Sequence, residues 1–293
     1  MTQVSSTLGA QDVPFSDSDF QALAALARRE FGLSLAPSKK PLVYSRLSRR
    51  LKARHITGFP EYLQLLDKRE ESSERLELIS ALTTNVTSFF REDHHFQMLR
   101  NNCLPACAER SRNGKRVRIW SAGCSSGQEP YCIAMSVLDT IPEAHRQNIK
   151  ILATDIDPQI IAKAKAGRYP AEDAASIPES YRKKWVTLES DGRSEIAMSN
   201  DLARLITFAE LNLIAPWPFQ GPFDAIFCRN VAIYFDQETQ QKLWQRFCDL
   251  LVPGGYLFIG HSERVTGPAS DLLKGVGITS YQKTATPSAA QPR

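Results

Sequence analysis

Side chains able to bind or react sit just past a series of apolar runs in this chain of 293 residues. Asp155 closes ILATD, Asn212 follows FAEL, and Arg229 and Asn230 follow DAIFC, with Tyr234 shortly after. The run Arg118-Ile119-Trp120 leads into small residues only, Ser121 to Gly127, before a helical pattern begins near Pro130. In an open α/β sheet, ligands bind beyond the C-terminal ends of the strands. A carboxylate there accepts two hydroxyls of a ribose, and a side-chain-poor turn lets a ligand approach the backbone and the helix N-terminus. Singly, each residue has a plain structural role: Asp155 can cap the helix at Pro158, Asn212 can cap or turn, and Tyr234 can be core. Together, at successive strand ends, they point to a nucleotide-type cofactor. The G-x-G-x-x-G pattern is missing and Asp155 lies farther than about 20 residues from the glycines, which weighs against NAD. The G-x-x-x-x-G-K-S/T pattern is missing too, which excludes a phosphate-binding loop and nucleotide hydrolysis.

The elements that must hold these residues alternate. Strands are predicted at Arg116–Trp120, Ile149–Ala153, Leu205–Ala209, Asp224–Cys228, Tyr256–Gly260 (after the turn Pro253-Gly254-Gly255) and Thr279–Gln282. Helical patterns cover about 130–140, 158–166 and 237–251. That order predicts an α/β fold with a doubly wound, mainly parallel Rossmann-like sheet. Residues 169–204 are an excess in which KKWVTLES and SEIAMSN flank Asp191-Gly192, a hairpin signal and an inserted antiparallel β-subdomain. Residues 15–84 read as a helical domain: a helix capped by Ser16 or Asp17 and closed by Gly32, then PLVYSRLSRRLKARH, Pro60–Lys68 and Glu74–Leu82. The remaining divisions are a linker at 85–100 contributing to the cofactor site, the main domain at 101–284, and disordered ends at 1–14 and 285–293.

Apolar content of 42% and charged content of 23% are ordinary for a globular protein, and a net charge of +4 is too small to imply nucleic acid by itself. No apolar run is long enough to insert in a membrane, the N-terminus lacks the pattern of a signal peptide, and the six scattered cysteines suit a reducing cytoplasm better than disulfides or a metal site. One stretch is unusual: Lys39 to Arg54 holds seven Lys and Arg and no acid. Arg46, Arg49, Arg50 and Arg54 fall within a helical arc of about 140° beside Val43, Leu47 and Leu51. Most charge runs are solvated faces, yet four arginines without Glu at i,i+4 repel one another, so an anionic partner, nucleic acid or an acidic protein surface, would relieve them.

Six blocks in order, TTNVTSFFREDHHF (83–96), SAGCSSGQEPYCIA, ATDID, LNL, FDAIFCRNVAIYF and PGGYLFIGHSE, resemble the CheR-type chemotaxis receptor glutamate O-methyltransferases from about Phe20 to Tyr281. The resemblance implies an S-adenosylmethionine-dependent methyltransferase, with S-adenosylhomocysteine as product, that esterifies glutamates on the cytoplasmic helices of chemoreceptors in chemotaxis adaptation. By matching positions it implies cofactor contacts from Asn85, Thr87, Arg91, Glu129, Asp155, Asn212, Leu213, Arg229 and Asn230. Arg91 would hold the methionine carboxylate, Glu129 would lie near the amino group, Asp155 would bind the ribose, and Asn212 and Leu213 would flank the adenine. Arg91 and Tyr234 would serve catalysis, with Tyr234 near the transferred methyl. Arg46, Arg49, Arg50 and Arg54 would face the acidic receptor helices, and the inserted hairpin resembles one by which some relatives grip a receptor's C-terminal peptide. Cys124 and Gln128 stand where relatives often carry a small residue and Glu, without disturbing the assignment. No metal is implied. A nucleic-acid methyltransferase is the enzymatic rival, but Arg229-Asn230-Val231-Ala232 stands where amino-methylating enzymes of that kind show Pro-Pro-aromatic. A cofactor-binding adaptor without turnover is the other alternative.

Overall fold

The computed structural model describes residues 13–83, 86–188 and 194–284. Asn85, the Asp191-Gly192 turn and most of both expected disordered ends lie outside the described residues. The chain forms two compact units, residues 1–84 and 85–293.

The first unit is helical: α1 (Asp17–Phe31), α2 (Lys40–Ala53), α3 (Phe59–Leu66) and α4 (Ser72–Leu82). Ser16 and Asp19 form a reciprocal capping box at the start of α1, at 3.1 and 2.9 Å. Gly32, at φ 73°, ends α1 in the left-handed conformation glycine accepts readily. Leu23, Leu47, Tyr62 and Leu78 are fully buried between the helices. The basic run behaves differently from its sequence reading. Arg50 grips the buried Glu74 with Nε and Nη2, both at 2.7 Å, and the Tyr62 hydroxyl donates to the same carboxylate at 2.8 Å. Arg54 pairs with Glu71 at 2.9 Å, and Arg46 donates to the Ala81, Leu82 and Thr83 carbonyls at the end of α4. Three of the four arginines are therefore compensated from within the unit, by acids and a helix C-terminus that i,i+4 spacing does not reveal. Arg49 and Arg54 are exposed, and of these two Arg49 has no ion-pair partner among the described residues.

The second unit opens with α5 (His94–Met98) and α6 (Leu104–Arg112). Residues 86–100, read as a linker, lie inside this unit and contribute Phe89, Phe90, Phe96 and Leu99 to its core. There follow β1 (Val117–Ala122), α7 (Gln128–Thr140), β2 (Ile149–Asp155), α8 (Pro158–Ala166), β3 (Arg168–Pro170), α9 (Glu179–Trp185), β4 (Val186–Leu188), β5 (Glu195–Met198), α10 (Asn200–Ala203), β6 (Ile206–Glu210), β7 (Phe223–Cys228), α11 (Gln237–Leu250), β8 (Leu251–Ile259), β9 (Leu273–Gly277) and β10 (Ser280–Lys283). The main sheet runs β6-β2-β1-β7-β8-β10-β9, its first five strands parallel and the last two antiparallel. Strands of such a sheet are covered on both faces, and Ile119, Trp120, Ala225, Ile226 and Phe227 have no exposed surface. From β1 the chain steps one way to β2 and β6, then the other way to β7 and β8, so the topological switch point lies between β1 and β7. The insertion forms a separate antiparallel sheet, β3-β5-β4.

Two expectations change. Pro253-Gly254-Gly255 is not a turn before a strand but an irregularity inside β8, where pairing jumps from Phe223↔Leu251 to Ala225↔Tyr256 and Gly254 takes φ 78°. The edge strand β9 was not predicted; it has two glycines and only Leu273 is buried.

Candidate active site

β1 delivers the chain into the small-residue turn. Gly123 and Cys124 both donate to the Thr154 carbonyl at 2.8 Å, tying the turn to the end of β2. Gly123 sits at φ 80°, and a Cβ there would lie 2.3 Å from Val231 Cγ2, so the turn presses against the loop after β7. Gly127, also left-handed, leaves the first turn of α7 without a side-chain cap, so its N–H groups have no side-chain acceptor from the cap residue. Asp155, at the tip of β2, accepts from Ser125 N at 2.8 Å and Asp157 N at 3.2 Å. Burial pushes its carboxyl above the usual range, opposed by those backbone donors. A carboxylate offers about four acceptor positions, so two remain for vicinal hydroxyls. Asp157, rather than Asp155, caps α8, accepting from Gln159 N and Ile160 N.

The centre of the site is a buried ion pair. Glu129, in the first turn of α7, accepts from Ser121 Oγ at 2.6 Å and from Arg229 Nη1 at 3.1 Å. Burial raises the Glu129 carboxyl, and the Arg229 charge and the Ser121 hydroxyl oppose that rise. Arg229 also donates to the Arg91 carbonyl, lies 3.6 Å from Glu92 and stacks 5.6 Å over the Phe96 ring. It thereby joins the 86–93 loop, the β1–α7 turn and the loop after β7. Arg91 is half-buried as a residue; its guanidinium donates to the Val86 carbonyl at 3.0 Å in an exposed hydrogen bond and keeps its other donors uncommitted among the described residues.

The loop after β7 is held by a residue the sequence reading gave no role. Glu263 is buried and accepts backbone N–H groups from Gly260 at 2.5 Å, Asn230 at 3.1 Å and Ile233 at 3.2 Å. It fixes Asn230 at φ 59° and the short turn Ala232–Tyr234 that carries the half-buried Tyr234. Its only sequence signal was its place at the end of GHSE. After β6, Asn212 makes an Asx turn to Ile214 N at 3.0 Å, and Leu213 is buried. Thr87 is half-buried in the loop that also carries Arg91. Thr87, Arg91, Glu129, Asp155, Asn212, Leu213, Arg229, Asn230 and Tyr234 all belong to the second unit, in loops or at the ends of β2 and α7, and the structure links Arg91, Glu129 and Arg229 directly; Arg46, Arg49, Arg50 and Arg54 belong to the first.

A backbone-lined turn, an acceptor carboxylate after β2 and a paired Glu–Arg beside an arginine with spare donors fit the ribose and the amino-acid head of S-adenosylmethionine by the chemistry of the donor set. With the switch-point topology, they define a Rossmann-like S-adenosylmethionine-dependent methyltransferase. Residues 85–281 match the "CheR methyltransferase, SAM binding domain" and residues 18–83 the "CheR methyltransferase, all-alpha domain". A "Probable chemotaxis protein methyltransferase" of Rhizobium etli is 50% identical over 254 residues, 86% of this chain and 95% of that one. The "Chemotaxis protein methyltransferase" of Escherichia coli is 42% identical over 250 residues, 85% of each. "Chemotaxis protein methyltransferase 2" of Pseudomonas aeruginosa is 40% identical, covering 94% of this chain and 97% of its own. The chain belongs to the CheR methyltransferase family.

Proposed function

We propose that this protein methylates glutamate side-chain carboxylates on the cytoplasmic helices of chemoreceptors, forming γ-glutamyl methyl esters, and works in the cytoplasm. The observation that carries this reading is the match of both units to chemotaxis protein methyltransferases over most of their lengths. No described helix is long and apolar enough to cross a membrane.

A glutamate with an ordinary pKa of about 4.3 is already ionised near neutrality, so no residue of the site has to remove a proton. When bound, S-adenosylmethionine supplies a methyl carbon on a positively charged sulfur that leaves as a neutral thioether. The chain's own task is to hold, orient and dry the reactants, for which ideal alignment contributes up to about 7–11 kcal/mol. Asp155 would hold the ribose hydroxyls, Asn212 and Leu213 the adenine, and Arg91 the carboxylate. Glu129, fixed by Ser121 and Arg229, would lie at the amino group. Thr87, Asn230 and Asn85 complete the proposed contacts, and Tyr234 positions the receptor carboxylate rather than trading protons with it. For the acidic receptor face, Arg49 of the basic helix offers an exposed charge with no ion-pair partner among the described residues, and Arg46, Arg50 and Arg54 shape that helix from α4's side. β4 is an edge strand of the inserted sheet with Leu188 exposed, and it would accept a receptor's C-terminal peptide by strand addition.

Methyl groups labelled in S-adenosylmethionine should pass to candidate receptor fragments and return as methanol in mild alkali, as esters do. Alkali-stable label, or label in nucleic acid instead of receptor, would overturn the reading.

A further inference from the structure

We propose that Glu92, His94 and His95, closed by His261, form a binding site for a zinc-class divalent transition metal. The chain has five histidines, and three of them converge here from the blocks REDHHF and GHSE, where methyl transfer uses none of them. The ligand atoms of Glu92, His94 and His95 lie within 4.8 Å of one another, and His261 Nδ1 is 3.3 Å from Glu92 Oε1. Glu92 Oε2, His94 Nε2 and His95 Nδ1 are each buried with no hydrogen-bond partner among the described residues, Glu92 Oε2 having only the longer contacts to His95 Nδ1 at 3.5 Å and Arg229 at 3.6 Å. Leaving such groups unsatisfied is costly, and a shared ligand would satisfy all three together. His95 has no exposed surface, and its Nε2 is 3.0 Å from Thr279 Oγ1. A tautomer that donates Nε2–H to that hydroxyl leaves the Nδ1 lone pair facing Glu92, the outer hydrogen bond that ligating histidines usually make. Backbone geometry holds the arrangement: Glu92 at φ 54° and Thr279 at φ 44° are both left-handed.

Three imidazoles and one carboxylate are donors for Zn²⁺, Co²⁺ or Ni²⁺ rather than Mg²⁺ or Ca²⁺. Bonds of about 2.0–2.1 Å place tetrahedral ligands about 3.4 Å apart, so the half-buried Glu92 and His94 side chains close on the ion and the exposed His261, outside the group of three, swings in to complete it. Arg229, 3.6 Å from Glu92 Oε2, sets a positive charge beside the ion. That repulsion makes the site weaker than the closed sites of structural zinc proteins.

The test is titration of the full-length protein with Co²⁺ alone, followed by visible absorption. We expect bands of a nitrogen-rich site that saturate at one equivalent and are erased by Zn²⁺. The double variant His94→Ala/His261→Ala, which spares the fully buried His95, should bind Co²⁺ at least tenfold more weakly while keeping its circular dichroism and its affinity for S-adenosylhomocysteine. His145→Ala should leave the bands unchanged. Absence of the bands from the parent chain, equal binding by the double variant, or loss with His145→Ala would each overturn the site.

Discussion

Asp155 and Tyr234 separate binding from orientation. Asp155 already accepts two backbone N–H groups, so its carboxylate is fixed before any ligand arrives. Asp155→Ala should weaken S-adenosylhomocysteine by about 1.5–3 kcal/mol, roughly 10- to 150-fold, as the loss of charge-assisted hydrogen bonds predicts. Calorimetric titration reads this, and an unchanged affinity would place the ribose elsewhere. Tyr234 stands on a turn braced by Glu263, where its ring has a set place. A nucleophile and a sulfonium of opposite charge neutralise each other as they react, so a strongly polar group at the methyl would oppose the step. Tyr234→Phe should therefore keep turnover near normal, whereas a fall of several orders of magnitude would mean that the hydroxyl itself acts. The places of Asp155 at the end of β2 and of Tyr234 after β7 were legible from the apolar runs before them. Glu263 was not, because its partners are backbone N–H groups from two loops, and a carboxylate in GHSE looks like any other.

The loop after β7 is the element on which the site's precision rests. It is clamped between Gly123, which a methyl group would drive into Val231, and Gly260, where a Cβ would meet Asn230 Nδ2 at 2.6 Å. Left-handed residues other than glycine gather in the same loops: Phe90 and Glu92 before α5, Ser125 after β1, and Asn230 after β7. Strained backbone of this kind persists only where its surroundings over-determine it. Glu263→Gln offers one acceptor and an amide that faces N–H groups, so it should release the loop, lowering kcat more than tenfold while S-adenosylhomocysteine affinity, in which Asn230 shares, falls by less. A parallel loss of cofactor binding would show that Glu263 holds the pocket as a whole, not this loop. At this scale the parallel strands were readable because burial on both faces makes them continuous apolar runs. β9 and the irregularity in β8 were not, since glycines and exposed residues carry no such pattern.

For the whole molecule, the two units bury carboxylates in opposite ways, and acid should separate them. Burial would raise Glu74, but hydrogen bonds from Arg50 and Tyr62 and the charges of Arg50 and Arg54 outweigh it and hold the group below its ordinary 4.5. The unfolded chain therefore takes up that proton first. Its stabilisation is complete above about pH 4.5 and is lost as pH falls toward the depressed folded value. In the second unit, burial raises Glu129, Asp155 and Glu263, so there the folded state takes up protons first. Those groups oppose folding at neutral pH, and their cost shrinks as pH falls through the raised values. Amide hydrogen exchange on the full chain, corrected for intrinsic rates, should show α2 and α4 losing protection as the pH falls below Glu74's ordinary 4.5, before β1 and β7 do. Glu74→Gln should lower the first unit's stability at pH 7 by about 1–3 kcal/mol, since Arg50 keeps its pair with Glu77 at 3.2 Å while the charge-assisted bonds to Glu74 are lost, and should flatten its acid dependence. The same pair decides how the basic helix is probed. Arg50→Glu sets two carboxylates together around Tyr62 and should unfold the first unit, while Arg49→Glu should slow receptor methylation in a salt-sensitive way with the helices intact. If α2 and α4 kept their protection in acid while Glu74→Gln changed nothing, the internal neutralisation of the basic helix would be wrong, and its arginines would again be free for an acidic partner.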